Sequence, residues 1–173
     1  MAFALRKIDH KVLWDATPTE DEKSWLAAGQ LRADALQDIA TEGNELSVYL
    51  VEEEKEELIN RIIGAIAANR ERVDKVDYII FDAAILAKLK ITVLPTPGAT
   101  LDSVVNDCHR DLVQLTATTL ADLGNSMQRD GRIRRKQDKE VGRLINSCLK
   151  AGYMDEGRLA ESIRIKLKDA RYS

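Results

Sequence analysis

The stretch from Leu46 to Asp82 constrains this 173-residue chain more than any other. It reads LSVYLV, then EEEKEELINRIIGAIAANRERVDKV, then DYIIFD. Two short apolar runs separated by a segment long enough for a crossover helix describe a βαβ unit. In the first run Leu46, Val48 and Leu50 alternate with Ser47, Tyr49 and Val51, giving one wholly apolar face and one mixed face. From Leu58 the period lengthens. Leu58, Ile59, Ile62, Ile63 and Ile66 recur at spacings of three and four, the stripe of a helix that covers a sheet. Glu52, Glu53, Glu54, Glu56 and Glu57 load its start, while Arg70, Arg72 and Lys75 follow its far end. Both signs suit the helix dipole, at about 0.3 to 1 kcal/mol per charge. The unbroken run Tyr78, Ile79, Ile80, Phe81 is what a strand covered on both faces requires.

Upstream, Phe3 to Trp14 supplies one strand or two short ones. Thr19 followed by Glu20, Asp21 and Glu22 starts a short helix that carries Trp25 and Leu26 inward and stops near Gly29. A second, from Ala33 to Ala40, buries Leu36 and Ile39. Downstream, Leu89, Ile91 and Val93 alternate as a third strand, with Lys88 and Lys90 marking it as an edge and Pro95 and Pro97 ending it. After the PTPGAT stretch the spacing predicts helices: one from Thr100 to about Gly124, one from about Ile133 to Ala151 after a loop over Asn125 to Gly131, and a last one capped by Asp155. The expected fold is therefore α+β (mixed α/β), with a small sheet and its βαβ unit in a body over residues 1–95. A three-helix region over 100–171 follows and packs on that body as one domain or stands beside it.

Charge divides the chain. Through Met127 there are 13 Lys and Arg against 22 Asp and Glu, and from Gln128 onward 13 against 7, so a net −9 precedes a net +6. No run approaches the roughly 18 apolar residues of a membrane span. The amino-terminal MAFALRKIDHKVLW meets charge too early for the core of a signal peptide, so a cytoplasmic location is expected. Cys108 and Cys148, each inside a helical pattern, read as reduced core thiols.

The basic tail holds the first candidate site. Arg132, Arg134, Arg135 and Lys136 are dense enough to contact a partner protein or to neutralise phosphates, although Tyr153 and Tyr172 alone make no stacking platform for single strands. Asp102, Asn106 and His109 fall at steps of four and three, which on one helix gathers a carboxylate, an amide and an imidazole. Such a trio suits a general base or a metal. With His10 the sole other histidine and with HExxH and paired-cysteine spacings absent, ordinary hydrogen bonding is the better reading. Asp82 stands at a strand end, where α/β enzymes place acids. Glycine-rich phosphate loops and GxSxG are also missing, so no cofactor is expected. The expectation is a non-enzymatic interaction protein, an accessory subunit, inhibitor or adaptor, that binds a protein partner or itself through its charged surfaces. A nucleic-acid regulator using the basic helices is the alternative, and an enzyme with a site near His109 or Asp82 the third reading. Trp14, Trp25, Tyr49 and Phe81 should cement the body, whereas an exposed tryptophan would mark a partner surface.

Overall fold

A computed structural model describes residues 2–15, 17–169 and 172. Six strands, β1 (Phe3–Ile8), β2 (Leu46–Val51), β3 (Val76–Asp82), β4 (Thr92–Pro95), β5 (His109–Val113) and β6 (Arg132–Lys136), form one sheet in the order β4-β5-β2-β1-β3-β6. Every neighbouring pair is antiparallel. Phe3 lies opposite Val51 on one side and Asp82 on the other, so β1 is wedged between β2 and β3. The two apolar runs therefore run parallel without touching, joined by helix α1 (Glu56–Ala68), and the βαβ unit is split by the amino-terminal strand.

The sheet is covered on both faces because its central strands are apolar on both. Leu5, Val51, Tyr78 and Ile80 pack with Ile59, Ile62 and Ile63 of α1, with Val141 and Ile145 of α5 (Asp138–Lys150), and with Ile163 of α6 (Glu161–Leu167). On the opposite face Ala4, Ile8, Leu46, Val48, Ile79 and Phe81 meet Leu86 of α2 (Ala84–Lys88) and Leu123 and Met127 of α4 (Ala117–Asp130). Trp14 and Ile39, from the 3-10 segments Lys11–Trp14 and Ala33–Ile39, complete that layer. Each such aliphatic side chain contributes about 1.5 to 3 kcal/mol when removed from water. Gly64 lets α1 approach α5 closely, since a Cβ there would stand 3.1 Å from Cys148 Sγ and 3.3 Å from Leu144 O.

The mixed α+β class, the small sheet and the helical carboxyl-terminal part are as the sequence indicates. Several elements differ. The single helix expected from Thr100 to Gly124 is instead α3 (Ser103–Asp107), strand β5 and the first half of α4. Asp102 caps α3 by accepting from the Val104 and Val105 amides, Gln114 breaks the chain with φ 59°, and a capping box at Thr116 restarts the helix. α4 then runs through the expected loop, and Arg132–Lys136, expected to lie in or beside the start of a helix, is a strand paired with β3. Strands from both sides of the PTPGAT stretch thus share one sheet. The Leu89–Val93 strand begins only at Thr92, because Lys90 turns the chain at φ 56°. Of the pair expected to face inward, Leu26 is buried and Trp25 is exposed.

Candidate interaction surface

β6 stands next to β3, and strand alternation sends Arg132, Arg134 and Lys136 to the face that carries α1, while Arg135 goes to the other. The glutamates at the start of α1 meet the first three. Arg132 pairs with Glu54, Arg134 with Glu54 at 3.1 Å and Glu56 at 3.4 Å, and Lys136 with Glu56 at 3.0 Å. Arg135 forks onto buried Asp77 at 2.6 and 2.7 Å. Burial works against the Asp77 charge, but the Arg135 fork and the Lys11 amide outweigh it and hold that carboxyl below the usual aspartate range. All four basic candidates are thus matched by carboxylates from the first half of the chain, so at this strand the charge division is an internal contact. For the exposed members such pairing is worth about 0 to 1 kcal/mol each.

Asp102, Asn106 and His109 do not converge as one site. Asp102, with no exposed surface, takes a two-point fork from Arg61 at 2.6 and 2.9 Å as well as capping α3. The Arg61 guanidinium in turn lies 3.5 Å from the Tyr153 ring centroid. Asn106 accepts from the Thr100 amide at 2.9 Å and donates to Thr100 O at 3.0 Å. His109, in β5 rather than a helix, sets Nδ1 3.0 Å from Thr96 Oγ1, with Nε2 3.9 Å from Asp111 Oδ1. Asn106 and His109 therefore pin the 96–100 loop, and Gly98 fits between them because a Cβ would fall 2.7 Å from Asn106 Oδ1. Asp82 accepts from the Ala84 amide at 2.9 Å and starts α2. Among the described residues no group of three or more His, Cys, Asp or Glu side chains is arranged to hold a metal ion. Both cysteines are free; burial pushes the Cys148 thiol up to about 11, with the Asp102 charge adding to it, and raises Cys108 as well.

A surface that periodicity does not reveal lies at the amino-terminal 3-10 segments. Val12 is 73% exposed and Trp25 66%, and with Leu13, Ala33 and Asp34 they line a groove of about 420 Å3. The groove is held firmly. Trp14 Nε1 donates to Asp38 Oδ2 at 2.8 Å, and Arg32 forks onto Glu22 at 2.7 Å from both Nε and Nη2 while also reaching the Asp15 and Thr17 carbonyls. That fork holds the Glu22 carboxyl at about 2. The surrounding segment, Asp9 to Glu45, carries 9 Asp and Glu against 3 Lys and Arg. Asp21 and Asp34 are exposed and have no cation within 4.0 Å among the described residues. A tryptophan among Ser24, Ala27 and Ala28 is the one sequence signal of this surface, since no large apolar residue stands three or four positions from it.

No family model, curated protein or solved structure matches this chain. Among the described residues no helix is long and apolar enough to cross a membrane.

Proposed function

We propose that the chain is a non-enzymatic protein-binding module, an accessory subunit, inhibitor or adaptor, whose contact surface is the Val12–Trp25 groove rather than the basic strand. The observation that carries this reading is a tryptophan left two-thirds exposed beside an exposed valine, on a segment tied down by the Arg32 and Asp38 hydrogen bonds. Rigid, exposed aromatics are the residues on which binding energy concentrates. The acidic surroundings select the occupant: a partner segment that offers an apolar anchor flanked by Lys and Arg.

The test is titration of the full chain with peptides carrying one apolar anchor in basic or in acidic flanks, read by tryptophan emission and by anisotropy of a labelled peptide. Basic-flanked peptides should bind, more weakly as salt is raised, and Trp25→Ala should lower affinity at least about tenfold, as expected for an interface anchor. Equal binding by the wild type and Trp25→Ala, or a preference for acidic flanks, counts against the reading. A dimer that Trp25→Ala dissociates in sedimentation would assign the groove to a second copy of the chain. Nucleic-acid binding through Arg132, Arg134, Arg135 and Lys136 would require those side chains to leave Glu54, Glu56 and Asp77.

A further inference from the structure

A second site, independent of the Val12–Trp25 groove, opens where β1, β2 and β5 reach the far end of α1. Arg6, Lys7, Tyr49, Asn69, Thr100 and His109 line a cleft there of about 250 Å3. Arg6 is the unusual member. Its Nη1 donates to Ser47 O at 2.9 Å and its Nη2 to Asp38 O at 3.2 Å, both neutral carbonyls, while its buried Nε has no acceptor. No carboxylate among the described residues forms an ion pair with it, whereas Arg61 and Arg135 each take a two-point carboxylate fork. Burial lowers its pKa, against the more distant charges of Asp9 and Asp38. The nearby acids are already engaged: Asp9 by Lys7, Asp38 by the His10 amide and Trp14, and Asp111 by Ser47 Oγ at 2.9 Å. Arg6 is only partly exposed, and cations so far withdrawn from water are ordinarily paired, so this one leaves room for an anion from outside the chain.

Two further features suit that role. The Tyr49 hydroxyl donates to no protein acceptor among the described residues, and burial raises its pKa, which keeps the phenol protonated. Its ring meets His109 edge-on at 5.4 Å between centroids, fixing its direction. The opposite wall, the 96–100 loop, is fastened by Asn69 to Ala99 O at 2.8 Å, by Asn106 and by His109. We infer that this cleft binds a small oxyanion ligand through a carboxylate or phosphate group, with Arg6 supplying the countercharge and Tyr49 a hydrogen bond. A volume below the roughly 300 to 1,000 Å3 of drug-sized sites limits the ligand to a few heavy atoms around that group.

The experiment is an amide NMR titration of the full chain with inorganic phosphate and, separately, with malonate, against sodium chloride at matched ionic strength. Saturable shifts gathered on Ser47, Tyr49, Asn69, Thr100 and His109, absent with chloride, are expected, and the tighter of the two anions sets the ligand class. Tyr49→Phe, which keeps the ring packing, should weaken binding about tenfold, the effect of losing one hydrogen bond to a charged group. Arg6→Gln should abolish it. Should that variant fail to fold, Tyr49→Phe still decides the matter. Scattered or non-saturating shifts with both anions, or unchanged affinity in Tyr49→Phe, would overturn the inference.

Discussion

Single side chains set the acid response and the rigidity of this protein. Asp77 has a folded pKa below that of an ordinary aspartate, so its contribution to stability is complete above the unfolded value near 4 and is lost as pH falls through the folded one. Asp77→Asn should therefore cost stability at pH 7, and its deficit relative to the wild type should shrink toward pH 3; urea melts at the two pH values measure this. Asp102 caps α3 and, through the Arg61 guanidinium, is tied to α1 and Tyr153. Asp102→Ala strands Arg61 and uncaps α3, an expected loss of about 3 to 5 kcal/mol by chemical denaturation. Cys148, with its thiol pushed up to about 11, should resist iodoacetamide at neutral pH until the chain is unfolded.

At the level of elements, Gly142 is a position where helix propensity and packing oppose each other. Alanine there would gain up to about 1 kcal/mol of propensity. Its Cβ, however, would sit 2.0 Å from Tyr172 Cδ1, so Gly142→Ala is expected to lower the melting temperature. In a Tyr172→Ala background the same change should raise it, and the double-mutant cycle separates the two effects. What the sequence made legible follows the same division between local and distant causes. β2, α1 and β3 announce themselves because alternation, a 3.6-residue stripe and a doubly apolar run each permit one structure. β5 does not, since Leu112 and Leu115, three positions apart, fit a helical period, and the decision rests on the Asp102 cap, the Gln114 backbone and the Thr116 capping box. β6 has Ile133 as its one apolar residue, so its structure comes from the β3 backbone and from Glu54, Glu56 and Asp77, which lie between 55 and 82 positions away in sequence. The four basic residues stand together in sequence, but the carboxylates they meet, and the split of Arg135 to the other face, depend on distant parts of the chain. Trp25 was visible, but not its exposure, because one aromatic carries no period.

For the molecule as a whole, the sheet ties early and late parts of the chain together. A fragment ending at Gly98 would lack β5 and β6, leaving β2 and β3 as edges, and is expected to be largely unfolded by circular dichroism and protease-sensitive where the full chain is resistant. The two native edges are guarded differently, β4 by its four-residue length and Pro95, β6 by four cations in five residues. The seating of β1 between β2 and β3 also has a consequence for biosynthesis. A chain made from its amino terminus lays down an inner strand first, adds β2 and β3 to its flanks, then sets β5 between β2 and β4 and closes the other margin with β6. Roughly 50 residues separate the ends of β3 and β6, several seconds of translation at about 5 to 20 residues per second. During that interval Glu54, Glu56 and Asp77 stand without their cationic neighbours, a solubilising acidic border on a half-built sheet until β6 arrives to close it.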